Sequence, residues 1–179
     1  MKGGFIIKKL TIILAIIILL LTNNSSNKVV IPKQSIRFRV IANSNSKKDQ
    51  EIKKQVVNNL NNNIKELLIN NININISRDN IKNNIKTFDS IVNKTLKDNN
   101  IESNYTINYG MNYFPEKEYK GVVYKEGNYE SLVIKLGEGL GNNFWCVLFP
   151  PLCLIETKET NNKKVEYKSY IKEIIDKYF

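Results

Sequence analysis

The chain contains no histidine. That absence removes Ser-His-Asp triads, Cys-His dyads and every zinc site with an imidazole ligand. Cysteine is nearly as scarce, and two residues, Cys146 and Cys153, cannot build a cysteine-only zinc site. Any catalysis would have to use carboxylates, tyrosine, lysine or a thiol, and a thiol with no base beside it is a weak nucleophile. Acidic residues are few as well: 17 Asp and Glu against 27 Lys and Arg leave a net charge of +10. Such a charge suits nucleic acid or an anionic membrane. Here the excess of Lys accompanies an excess of Asn and Ile, as an AT-rich coding sequence produces, so no nucleic-acid partner is expected. Tryptophan occurs once and proline four times. The Trp, both Cys and two of the Pro fall in one stretch, Trp145 to Cys153.

What is present suits one folded domain behind a leader: 179 residues with 42% apolar composition. Lys2, Lys8 and Lys9 flank an apolar run from Leu10 to Leu21, followed by Thr22 to Asn27. This is the layout of a secretory signal. No Ala-x-Ala pattern follows Leu21, so residues 1–22 read either as a removed signal peptide or as a retained anchor, with membrane association through residues 5–21. The remainder is expected to be exported. Residues 23–35 read as a linker, and 36–179 as the exported domain.

Ile36, Phe38 and Val40 alternate with Arg37 and Arg39, which predicts a half-buried strand over Ile36–Ile41. Ser46, with Asp49 three residues on, is a helix N-cap, and Ile52, Val56, Leu60, Ile64, Leu67 and Leu68 share one face of a helix from Lys47 to about Leu68. Asn70 to Ile76 is read as a connector. A second helix opening at Ser77 and Asp79 carries Ile81, Ile85, Phe88, Val92 and Leu96 to Asn99–Asn100. Tyr105 to Tyr113 alternates as a strand ending at Phe114-Pro115. Val122–Tyr124 and Tyr129–Leu136 then read as a hairpin turned at Lys125–Asn128. Tyr167, Tyr170, Ile171, Ile174, Ile175 and Tyr178 line a C-terminal helix, reached through the link Glu156 to Lys164. The expected fold is α+β: two amphipathic helices and a C-terminal helix on a mainly antiparallel sheet of about four strands.

Gly137-Glu138-Gly139-Leu140-Gly141 follows a strand, as phosphate-binding loops do, but its spacing fits neither nucleotide motif and no helix follows. The glycines instead let the chain turn into the Trp145 segment. That segment is apolar, yet Pro150-Pro151 cannot donate to a ladder, so an ordinary central strand is not expected. In an exported protein Cys146 and Cys153 can close a ring, worth about 2.5 kcal/mol by loop entropy; the alternative is two buried thiols acting as small hydrophobes. Glu130 and Glu138 are the carboxylates nearest the glycine loop, and a carboxylate-dependent cell-wall glycoside hydrolase is the enzymatic alternative. A membrane-anchored structural protein is the third.

Three blocks carry a resemblance. Val40-Ile41-Ala42-Asn43-Ser44-Asn45-Ser46 with Asp49-Gln50, then Tyr109-Gly110 with Phe114-Pro115 and Tyr119, then Gly137-Glu138-Gly139, Gly141, Asn143 and Trp145–Cys153 resemble the stage II sporulation protein R family. Asn45 stands where Asp is expected, Leu140 for Lys and Phe144 for Trp. The resemblance implies a non-enzymatic signal from the forespore, exported into the space between the two sporulation membranes. There it switches on a membrane-embedded aspartic protease that processes the sigma-E precursor. No cofactor, metal or small-molecule substrate is implied. Trp145, Phe149, Pro150 and Pro151 are the candidate partner contacts, with Val147 and Leu148 buried and the proline tip exposed. Asn43 and Ser44 are added to them, although capping and turn formation account for both.

Overall fold

The computed structural model describes residues 28–68, 73–119, 121–154 and 164–179. The leader, most of the connector after the first helix and most of the Glu156–Lys164 link lie outside them. The described residues form a single α+β domain, as expected. Its main sheet has the order β3-β6-β2-β7. The central strands are β2 (Ile36–Ile41) and β6 (Gly127–Leu136), paired parallel. The flanking strands β3 (Tyr105–Phe114) and β7 (Asn143–Phe149) pair antiparallel with β6 and β2 respectively.

One face of this sheet is covered by helices α1 (Lys47–Leu68), α2 (Ile74–Asn83) and α3 (Ile85–Asp98). Ile36, Phe38 and Val40 of β2 meet Ile52, Val56, Leu60 and Ile64 of α1 and Phe88, Val92 and Leu96 of α3 in one buried core. The α1 bounds are the expected ones. Its start is the Ser46 cap, whose Oγ accepts the Asp49 amide at 3.1 Å.

The expected second helix is two. Asn84, at φ −105° and ψ 9°, separates α2 from α3, and its Nδ2 donates to the Asn80 carbonyl at 2.9 Å. An Asn side chain that competes for backbone groups favours such a break. Nor does the first of the pair open at Ser77. Asn73 caps it, accepting the Asn75 amide at 2.7 Å, and Ser77 lies buried within the helix. The Asn-Ile alternation concealed that cap.

The predicted hairpin is not formed. Residues 122–124 are β5 of a second, three-stranded sheet with order β1-β5-β4, where β1 is Val29–Val30 and β4 is Lys117–Tyr119. The antiparallel partner of β6 is β3, in register over Tyr105–Phe114. Gly127, at φ +142°, starts β6 on its new course. Because β1 and the buried Ile31 belong to this sheet, the fold reaches into the stretch read as linker. Helix α4 (Lys164–Tyr178) packs Ile171 against Val29, Ile31, Val122 and Leu152.

A second departure lies on the other face of the main sheet. Arg37, on the face of β2 away from the helices, is only 1% exposed. Its guanidinium carbon lies 3.3 Å from the Tyr129 ring centroid and 5.3 Å from that of Phe114. Nη1 donates to the Lys125 carbonyl at 3.3 Å, while Nε and Nη2 have no hydrogen-bond partner. Burial depresses its pKa, against the favourable influence of Tyr129 and Tyr124. Ring faces take the place of an acid here.

Candidate functional site

The glycine loop and the turn between β2 and α1, far apart in sequence, close on each other. Asn43 is the hinge of this latch. Its Nδ2 donates to Asp49 Oδ2 at 2.9 Å and its Oδ1 accepts the Glu138 amide at 3.0 Å. Ser44 Oγ donates to the same Asp49 oxygen at 2.5 Å and accepts the Ser46 amide at 3.1 Å. From the loop, the Leu140 and Gly141 amides donate to the carbonyls of Asn43 and Ala42 at 3.0 and 2.9 Å. Asn45 Oδ1 accepts the Asn142 amide at 2.7 Å, a role an aspartate would fill equally. The Ser44 and Asn43 hydrogen bonds hold the Asp49 carboxyl below its usual range. Asn43 and Ser44 are thus occupied in joining the turn to the loop.

What the latch positions is the start of β7. Trp145 is half-buried and packs edge-on against Phe114 and Tyr124, with centroids at 5.2 and 6.4 Å. Lys117 Nζ stands 5.0 Å from its ring centroid, and Arg39 is its register partner on β2. The segment is a strand after all, but at the edge of the sheet, and the two prolines follow its last residue.

Beyond Trp145 the chain turns inward. Val147 and Leu148 are buried, as expected. Phe149 is also buried, against Tyr178 and Phe179 at 5.4 and 6.1 Å, and Pro150 with it, while Pro151 is half-buried. The proline tip is therefore not exposed, because α4 closes over this end of the strand. Cys146 and Cys153 form a disulfide, with both residues buried and Cα atoms 5.5 Å apart. Of the aromatic and proline candidates, Trp145 and Pro151 keep part of their surface open, and of these two only Trp145 lies on the strand edge. Sequence reasoning missed its cationic neighbours, Arg39, Lys117 and, across the strand, Lys53. For Lys117 and Lys53 no local signal existed, since each arrives from another element.

The carboxylates of the hydrolase reading do not meet. Glu130 lies near the start of β6 and Glu138 beyond its end, and the intervening strand rises about 20 Å, against the roughly 5–9.5 Å a glycosidase pair needs. Glu130 is committed elsewhere. It accepts Arg78 Nε and Nη2, each at 2.7 Å, and the Tyr109 hydroxyl at 2.6 Å. The Arg78 hydrogen bond, with help from Tyr109, holds its carboxyl below the usual range, whereas burial and Glu130 push the Tyr109 phenol up. A depressed carboxyl stabilises the fold above its unfolded pKa and loses that contribution as pH falls through the folded value. Glu130→Gln should therefore cost about 2 kcal/mol at neutral pH. Urea unfolding should show the variant converging on the wild type as pH drops below about 4; a constant difference would mean that Glu130 contributes no charge-dependent stability.

Among the described residues no helix is long and apolar enough to cross a membrane, and no cluster of three or more His, Cys, Asp or Glu could hold a metal ion. The geometry defines an α+β domain that locks its polar motif residues into a loop latch and presents an aromatic strand edge. The profile of the family described as Stage II sporulation protein R matches residues 32–159. The Stage II sporulation protein R of Bacillus subtilis (strain 168) is 33% identical over 154 residues, covering 83% of this chain and 69% of that protein. The chain belongs to the stage II sporulation protein R family. No solved structure matches it.

Proposed function

We propose that this protein is the forespore's exported signal to a membrane-embedded aspartic protease in the mother-cell membrane, whose activation leads to processing of the sigma-E precursor. Family membership is the observation that carries the reading, since the match runs through the whole Trp145–Cys153 segment. The protein works in the space between the two membranes, released or held by residues 5–21. It acts by differential binding: it favours the active arrangement of the protease by the affinity it gains for that state over the inactive one. Moving a protease from about 1% to about 99% active needs roughly 5.5 kcal/mol of such preference. Trp145, half-open beside Lys117 and Arg39, is the anchor this mechanism would use.

The test is to co-produce the full-length protein with the protease and the sigma-E precursor in a host lacking all three. Processing that depends on this protein is the expected result. Folded, exported protein with no processing would sink the reading, and wall-lytic activity lost on changing Glu130 or Glu138 would replace it with the hydrolase.

A further inference from the structure

An unpaired sheet edge is ordinarily guarded by a charge, a proline or a bulge. Strand β7, Asn-Phe-Trp-Cys-Val-Leu-Phe, contains neither charge nor proline, and its one irregularity lies opposite Ile36 and Arg37 at the far end. That far end is protected otherwise: Cys146 is tied to Cys153, and the turn Leu152–Leu154 packs back on the strand. The near end is open. Among the described residues, the backbone of Asn143, Phe144 and Trp145 pairs with β2 and with nothing on its outer side.

Two clefts flank this open end, one on each face. On the Trp145 side, Trp145, Asn143, Asn142, Lys117 and Glu116 line about 340 Å³. On the helix side, Phe144, Asn143, Val57, Lys53 and Lys54 border about 350 Å³. Side chains of a strand alternate between faces, so one laid beside β7 would send successive side chains into the two clefts in turn. In this mode of recognition the main chain supplies affinity and the pockets supply selectivity.

The charges select the strand. Lys53 donates to Gln50 Oε1 and the Asn142 carbonyl at 2.7 and 2.9 Å, and to no carboxylate among the described residues. Burial first and Lys117 second lower its pKa, so Lys53 feels the second cation of this strand end. Arg39 forms no ion pair among the described residues. Glu116 is the acid in the Trp145 cleft, and its charge also acts on Lys28. A second copy pairing edge to edge would bring two such cationic sets together, which opposes self-association.

We propose that the open Asn143–Trp145 edge accepts an extended acidic segment of a partner protein as an added strand, its carboxylates reaching Lys53 and Lys117. This deepens the signalling reading and rests on it only for which protein supplies the segment. The lone Trp145 is a built-in reporter. Full-length protein would be titrated with a ten-residue peptide repeating Glu-Glu-Val-Val, which carries carboxylates on both faces of the strand, its Lys/Val counterpart, and the Glu/Val peptide N-methylated at alternate amides. The expected result is a saturable change in Trp145 fluorescence with the first, none with the second, and binding weakened about ten-fold with the third. The Lys53→Glu/Lys117→Glu variant should weaken the first peptide by a similar factor, with its fold checked by circular dichroism. If that variant does not fold, Lys53→Ala/Lys117→Ala takes its place. Hydrogen exchange should slow at Phe144 or Trp145 when the peptide is bound. No saturable response, an equal response to the Lys/Val peptide, or an unliganded dimer whose formation needs this edge would each overturn the proposal. Peptide binding with precursor processing indifferent to the charge reversals would support the edge site and remove the protease as its partner. Processing that survives when the site fails would leave the signalling reading standing on another surface.

Discussion

Gly141→Ala should lower the stability of the domain by about 3 kcal/mol, more than the same change at Gly137 or Gly110. A Cβ at this position would lie 2.2 Å from the Ser44 carbonyl oxygen, 2.6 Å from its carbon and 2.9 Å from the Ala42 Cβ. Two of those atoms are backbone, fixed by the β2–α1 turn, so the loop has to retreat. Retreat breaks the Gly141–Ala42 and Leu140–Asn43 backbone bonds and the Asn142–Asn45 contact together. Gly137→Ala meets a softer obstacle, the Asn43 amide oxygen at 2.2 Å, but also sits at φ +53°; its cost should be smaller, about 1–2 kcal/mol. Gly110→Ala meets nothing closer than 3.8 Å and should stay within about 0.5 kcal/mol of the parent. Thermal unfolding reads the order directly, since about 3 kcal/mol in a domain of this size corresponds to roughly 6–12 °C. A Gly141→Ala protein that melts with Gly110→Ala would show that the loop does not depend on the close approach.

The same latch shows how far the sequence could be read. Periodicity is local information, and it placed α1, β2, β3 and the core residues Phe38, Val56, Leu60, Phe88 and Leu96 correctly. The polar cluster at Asn43–Ser46 was legible as a turn and cap for the same reason. That Asn43 also holds the Glu138 amide, 95 residues away, was not, because a hydrogen-bonding side chain advertises its capacity and not its partner. Strand pairing failed for the matching reason. The turn residues Lys125–Asn128 look alike whether the next strand folds back on β5 or leaves for another sheet, and only the accumulated β3–β6 ladder decides. Arg37 misled in a third way: an arginine alternating with apolar residues reads as solvent-facing, and rings from β3 and β6 bury it. At the site itself, Trp145 was visible as a rare residue. Its setting depended on three cations from β2, α1 and β4, a tertiary fact.

Trp145→Ala is expected to remove more than half of precursor processing in the co-production assay while the protein still folds. A central tryptophan in an interface is worth about 2–4 kcal/mol. Taking 3 kcal/mol from the roughly 5.5 kcal/mol that full switching requires lowers the active-to-inactive ratio about 150-fold, from near 99:1 to below parity. The same substitution also strips ring contacts with Phe114 and Tyr124, so it should cost stability too, about 2–3 kcal/mol for a half-buried ring. These two effects have to be separated. Trp145→Phe keeps an aromatic ring against Phe114 and should recover most of the stability. It lacks the indole N–H and the larger face that Lys117 overlies, so it should recover only part of the processing. Gly110→Ala, remote from β7, should process as the parent does. If processing instead tracks melting temperature across Trp145→Ala, Trp145→Phe and Gly141→Ala, then Trp145 serves the domain's packing and the partner is gripped elsewhere. If Trp145→Phe melts with the parent yet processes poorly, the exposed indole edge is the contact, and the open end of β7 is where activation begins.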